Sequence, residues 1–239
     1  MTLDATKVAT GYILTEPLAV SAPRPAWQAA FEFGLLLVTA VLVGALAGDV
    51  LASANSAGIF HFPVVAGLVL GVVCADFASG ALHWFCDRFF EADTPLLGPM
   101  LIVPFREHHD DPQGIVRHGL LELHGNSCIP IIALLLLGRA LPATPLLQSW
   151  VLFFSLAALA TNQFHRWAHD PAPAAPVCWL QRHGLILSPE GHDRHHRGEF
   201  QKSFCMTTGW LNPPLDRLDF FPRAERALRA LRPARSAKD

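Results

Sequence analysis

Nine of the twelve histidines stand in short groups: His83, His108-His109, His118, His165-x3-His169 and His192-x2-His195-His196. Imidazole is the commonest protein ligand for metals. Residues three or four apart on a helix share a face, so His165 and His169 point together, as do His192, His195 and His196 where that segment is helical. His83 lies one turn before Asp87 and two turns after Asp76, which places a ligand and two carboxylates on one stripe. Metal-bound imidazoles commonly pass their second N–H to such a carboxylate. One zinc takes about four ligands, of which about three come from protein in a catalytic site. Nine candidates are too many for one ion and suit two. Imidazole serves zinc, copper, iron and nickel alike, so the residues leave the element open.

The elements that must position these groups have the length of a membrane crossing. With 51% hydrophobic residues, 16% charged and a mean hydropathy of +0.32, the chain cannot cover a soluble globule with charge unless much of its surface faces lipid. A spanning helix needs ~20 mainly apolar residues, and charge-poor stretches predict spans at about 31–51, 60–82, 123–140 and 145–165, the third short and holding Pro130. Turn signals at Asn55-Ser56-Ala57-Gly58 and Leu141-Pro142-Ala143-Thr144-Pro145 fold them into two hairpins. The expected class is an all-α, integral membrane four-helix bundle with a cytoplasmic histidine-rich cap. Residues 1–29 form an N-terminal cytoplasmic segment, 30–221 the main domain and 222–239 a basic tail.

Of 18 Lys and Arg, the hairpin tips hold only Arg139. Positive charge marks the cytoplasmic side, which then carries both termini and every histidine except His61. That residue is a bilayer thickness from His83 and is set aside. Trp27, Trp84, Trp150 and Trp167 fall at span ends, as interfacial anchors do. Asp76 lies inside a span, where an ionisable group implies function. Ala78, Ser79, Gly80 and Ala81 are expected to face Ala157, Ala158 and Ala160 in close helix packing. The stretch 95–105 is too short and proline-rich to cross and suits the interface. Ala224–Leu231 reads as a basic surface helix able to touch anionic lipid.

A net charge of −2 argues against nucleic acid. Five cysteines without a C-x-x-C pair suggest neither a disulfide framework nor a thiolate zinc site. The first thirty residues lack a signal-peptide pattern. Scarce lysine with abundant Ala, Arg and Pro suits a bacterial genome, hence an inner membrane.

As a set, several motifs closely resemble the Kua-type lipid desaturase family over roughly residues 30–220. They are Asp76-Phe77-Ala78-Ser79-Gly80-Ala81-Leu82-His83-Trp84, the stretch Pro104 to Pro112 around His108-His109, Arg117-His118, Phe164-His165-Arg166-Trp167-Ala168-His169, and His192 to His196 followed by Phe204 to Asp216. The family includes plasmanylethanolamine desaturases and, more distantly, plant plastid desaturases; Thr207-Thr208-Gly209-Trp210-Leu211-Asn212 looks more like the former. The resemblance implies a centre of two iron ions, with O2 as co-substrate. An external electron donor, a cytochrome b5-like or ferredoxin-like protein, would supply two electrons. The substrate implied is an ether phospholipid of the plasmanylethanolamine type, desaturated in its 1-O-alkyl chain to the vinyl ether of a plasmalogen. By motif match the ligand role falls to His83, His108, His109, His118, His165, His169, His192, His195 and His196. Asp76, Asp87, Asp110 and Asp193 are expected to support them, with Asn162 a polar ligand or a supporting group. The chain departs from the family pattern at Gly119, where an aspartate is usual, and at His124, where an asparagine is. His124 and His183 are expected to be non-ligands.

Other readings stay open at this level. An acyl-lipid desaturase of the same family would use the same ligands on a fatty acyl chain. A zinc-dependent membrane lipid hydrolase would need about three histidines and a general base such as Glu107 or Glu190. A metal sensor or transporter would carry histidines or acids through the bilayer, and these spans hold few. No serine or cysteine nucleophile motif competes, and breaking an unactivated C–H bond requires a redox cofactor.

Overall fold

A computed structural model of the chain describes residues 25–57, 61–95, 97–197 and 200–231. Residues 1–24 of the expected N-terminal segment and 232–239 of the tail lie outside the described residues. The described residues are all-helical: α1 (Ala26–Ala57), α2 (Phe62–Phe89), α3 (Val103–Asp110), α4 (Gly114–Arg117), α5 (Leu120–His124), α6 (Cys128–Ala140), α7 (Pro145–His169), α8 (Ala175–Arg182), α9 (Pro189–His196), α10 (Asn212–Arg217) and α11 (Phe220–Ala230).

Three helices are long and apolar enough to cross a membrane, over Ala26–Asn55, Phe62–Phe89 and Pro145–His169. Phe33, Leu37 and Val41 of α1, Leu68 and Val69 of α2 and Leu156 of α7 are exposed and apolar, the surface of a protein solvated by hydrocarbon. The expected third span is divided. Asn162 of α7 donates from Nδ2 to the Leu123 carbonyl at 2.7 Å and to Ser127 Oγ at 3.1 Å, taking the acceptor that a continuous helix would use. The chain turns at 125–127 and resumes as α6, whose 13 residues reach ~20 Å at ~1.5 Å per residue. Gly125 lets α1 approach this turn closely, since a Cβ there would lie 2.6 Å from the Glu32 side chain.

Leu46 and Val50 of α1, Val64 of α2, Ile131 and Leu135 of α6 and Val151 and Leu152 of α7 form one buried cluster. The four helices pack as a bundle around it. Within it α2 and α7 approach through Gly67 and Gly71. A Cβ on Gly67 would sit 2.7 Å from the Leu146 carbonyl, and one on Gly71 2.7 Å from the Phe154 nitrogen, the close backbone approach that small residues four apart allow. The contact expected at 78–81 against α7 is replaced. Gly80 lies against Cys205, and Ser79 Oγ accepts the Met206 N–H at 3.0 Å, because a segment after α9 wedges in at that level. Since α2 and α7 bring their C-termini together at one site, the chain must return along the bundle between them. The α5–α6 stretch makes that return, and its far end is marked by Arg139 paired with Asp49 at 3.3 Å.

Candidate metal centre

Four helices deliver the ligands. α2 presents His83 and Asp87, α7 presents His165 and His169, and each pair is four residues apart on a last stretch of membrane-length helix. α3 continues a π-helical turn, Gly98–Ile102, whose Ile102 is fully buried, and ends in His108 and His109. α9 starts where Ser188 Oγ accepts the Gly191 N–H at 3.0 Å, with Pro189 in its first turn. It carries His192, His195 and His196.

These side chains form two groups. The first is His108, His165, His169, His192 and His196, and the second is His83, Asp87, His109 and His195. In the first, His108 Nε2 lies 2.9, 3.1 and 3.2 Å from the Nε2 atoms of His165, His169 and His196. His192 Nε2 approaches the same three at 2.8, 2.7 and 2.9 Å. An imidazole nitrogen has one hydrogen or one lone pair, so a nitrogen with three nitrogen neighbours cannot satisfy them by hydrogen bonding. Nitrogens ~2.1 Å from one ion and at right angles stand ~3.0 Å apart, so the spacing fits a bound cation. In the second group His109 Nε2 lies 3.4 Å from His83 Nε2 and 3.1 Å from His195 Nε2. Asp87 Oδ2 is 3.4 Å from His83 and 3.6 Å from each of the others. Both Asp87 oxygens are buried with no hydrogen-bond donor, a costly state for a carboxylate that a metal ion would relieve.

The two groups are adjacent. Ring centroids are 6.2 Å apart for His108 and His109 and 5.6 Å for His195 and His196, and each consecutive pair sends one ring to each group. His195 Nδ1 donates to the Lys202 carbonyl at 2.9 Å, which fixes the tautomer and turns the Nε2 lone pair inward. Burial, then the neighbouring imidazoles, push His108 down to about 2. Burial likewise lowers His109 to about 4 and His195 to about 3. These rings are therefore neutral near pH 7 and offer lone pairs, as metal binding requires. Phe105, Phe200 and Phe204 pack on His83, His109 and His195 at 5.1, 4.3 and 5.0 Å between centroids, walling the second group.

Eight of the nine expected ligand histidines stand in these groups. His118 does not. It follows the short α4 with extended backbone and lies 3.8 Å from Glu122, partly exposed. Asp87, expected as a support, stands within the second group itself, and its position one turn after His83 was the available signal. Asp76 supports no ligand: its Oδ1 accepts the N–H groups of Thr208 and Gly209 at 2.8 and 2.9 Å, and its Oδ2 that of Leu211 at 3.1 Å. A buried carboxylate is here a brace for the segment that closes over α2. Asn162 is engaged by Leu123 and Ser127. Asp110 is exposed at the end of α3 and Asp193 pairs with Arg197; they act on His109 and His196 through charge. His61 stands at the opposite end of α2, His124 bonds the Leu159 carbonyl at 3.0 Å and His183 stacks on Trp179.

The run after α9 carries roles that spacing alone did not reveal. Asn212 clamps Cys205 through both backbone groups at 2.8 and 2.9 Å. Asp216 holds Ser203, whose φ is +57°, by N–H and hydroxyl at 3.0 and 2.9 Å. Together with Asp76 these bonds seat Phe204 against the centre.

A helical membrane bundle that gathers eight histidines and a carboxylate at one end has the donor set of a membrane metalloprotein. A model of the lipid desaturase domain matches residues 72–239, and the chain belongs to that family. It is 40% identical over 171 residues to the plasmanylethanolamine desaturase of Myxococcus xanthus, covering 69% of this chain and 60% of the relative. It is 36% identical over 182 residues to plasmanylethanolamine desaturase 1 of Mus musculus, covering 72% and 67%. Fatty acid desaturase 4, chloroplastic, of Arabidopsis thaliana is 32% identical over 166 residues, covering 68% and 50%. The chain thus spans about 60% of the length of its Myxococcus relative. No solved structure matches it.

Proposed function

We propose that the chain is a plasmanylethanolamine desaturase with two iron ions, one in each ligand group. The observation that carries this reading is the pair of adjacent ligand groups at the end of an apolar bundle, in a chain whose relatives include two proteins of that name. Bound iron would supply what side chains lack, activation of O2 to remove one hydrogen from each of the first two carbons of the 1-O-alkyl chain, with two external electrons and two protons completing its reduction to two waters. The protein's own contribution is placement. Two i,i+4 pairs on α2 and α7 fix the floor, α3 and α9 close it from outside, and the three phenylalanines exclude water from the Asp87 group.

The domain is taken as 30–221, with α5–α6 as the third of four crossings. The return of the chain between α2 and α7 supports this, and the clustering of Lys and Arg at the metal end supports a cytoplasmic centre in a bacterial inner membrane. A cytochrome b5-like or ferredoxin-like donor would reach it there. Glu107 and Glu190, the candidate general bases of a hydrolase, are exposed and outside both groups, which disfavours hydrolysis by either. An acyl chain remains the competing substrate because of the plastid relative. The deciding experiment expresses the chain in a host without plasmalogens, fed alkylglycerol. Acid-labile vinyl ethers together with about two irons per purified chain are expected; new acyl double bonds without vinyl ethers, or one zinc, would overturn the reading.

A further inference from the structure

Beside the metal centre, between the end of α2 and α11, lies a cleft of about 180 Å³ lined by Trp84, Arg88, Phe204, Phe221, Arg226 and Arg229. Its floor is aromatic and its rim cationic. Trp84 is only 7% exposed, yet its indole N–H has no partner, and an unmet buried donor costs ~1–3 kcal/mol. On the rim, Glu225 is held by Arg88 Nε and Nη2 at 2.8 and 3.2 Å and by Arg229 Nε at 2.9 Å. The carboxylate braces two guanidiniums, while Arg226 is exposed beside them. Three guanidiniums against one carboxylate leave a positive surplus, in the planar fork form that suits phosphate oxygens. Phe204 is the shared wall. Its ring stands 5.8 Å from that of His83 and 5.0 Å from that of His195, so an anion in the cleft sits one aromatic ring away from the ligands.

We propose that this cleft seats the glycerophosphate of the lipid substrate, with Arg226 and Arg229 on the phosphate and the Trp84 N–H on an ester or ether oxygen. The assignment rests on the ether-lipid reading, and that reading demands such a place. The carbons that lose hydrogen are the first two of the alkyl chain, a few bonds from the phosphate, so the headgroup must lie beside the centre and not a chain length away. Of the two cations on the phosphate, Arg229 is already held by Glu225, which limits the ordering cost on binding.

The test uses iron-loaded protein in detergent without O2 or reductant and measures binding of a 1-O-alkyl lysophospholipid and of the 1-O-alkylglycerol with the same chain. Wild type is expected to favour the phospholipid by at least about ten-fold, the scale of one charged hydrogen bond. Arg226→Glu should erase the preference and Arg226→Lys keep most of it, and in turnover the loss should fall on KM. An Arg226→Glu protein with both preference and KM intact overturns the assignment, as does inorganic phosphate that competes as well as the lipid, which would make this a free-phosphate site. Phosphate preference in a chain that yields no vinyl ether would sink the substrate reading alone, and vinyl ether formation indifferent to Arg226→Glu would sink the cleft alone.

Discussion

The five-histidine group and the Asp87 group share α3 and α9 and differ through the helix that completes each. α7 contributes His165 and His169 to the first, and α2 contributes His83 and Asp87 to the second. The dipeptides His108-His109 and His195-His196 tie the two together, since successive helical residues point about 100° apart and each pair serves both. One scaffold thus holds two ligand fields. Five imidazoles offer a cation only neutral donors in the first, while the second offers three imidazoles and a carboxylate, which would bring one negative charge to a bound ion with fewer protein ligands. An aspartate in place of one histidine of the i,i+4 pair, and one imidazole fewer from α9, make the two groups chemically unequal as candidate metal positions.

The strongest way to break this comparison is to remove a ligand from the crowded group. His165→Ala or His192→Ala deletes a buried ring that touches its neighbours at 2.7–2.9 Å. Vinyl-ether formation is expected to fall to background, a loss beyond the ~10–100-fold of groups that only support a ligand. Elemental analysis should show less than one iron retained beyond the Asp87 group. Activity near wild type would remove that residue from the ligand set.

Asp87→Asn sharpens the comparison from the other side. The amide keeps the shape and loses the charge, so iron content is expected to drop by about half, the five-histidine ion staying, with activity down at least ~10-fold. If both ions leave together, the two groups are one cooperative unit and the contrast drawn above is wrong.

Asp76→Asn should touch neither group directly. It weakens three charge-assisted bonds to Thr208, Gly209 and Leu211, the first of them buried, a destabilisation of ~2 kcal/mol. Hydrogen exchange at 208–211 is expected to speed up while iron per folded chain is kept. Loss of iron at unchanged exchange would return Asp76 to the ligand surroundings.

Much of this arrangement was legible in residue spacing, and its limits are physical. The pairs His165-x3-His169 and His83-x3-Asp87 are local, and a helix repeat alone puts each on one face. The partition of His108 from His109 and of His195 from His196 was not legible, because it depends on where α3 and α9 dock. Asp76 misled for a related reason: a buried carboxylate in a span signals a partner, but whether that partner is an imidazole or the backbone of a segment some 130 residues later is decided by tertiary packing. The break in the third span was hidden similarly, since it needs Asn162 of α7 to reach Leu123. The close approach expected at 78–81 is made instead at Gly67 and Gly71, a small-x3-small pair whose spacing is itself visible in the sequence.

The smallest expected effect tests the boundary of the centre. His118 sits in a motif that suggests a ligand, yet its side chain is 40% exposed and lies 3.8 Å from Glu122. Surface pairs of that kind contribute ~0–1 kcal/mol. His118→Ala should therefore keep both irons and lie within about two-fold of wild-type turnover, as a residue outside both groups must, whereas loss of one iron would mean that the segment from α4 to α5 folds inward when the lipid binds. Comparing His118→Ala with Asp87→Asn in the same preparation separates the two outcomes, because one imidazole stands apart from the cluster by geometry and one carboxylate stands within it.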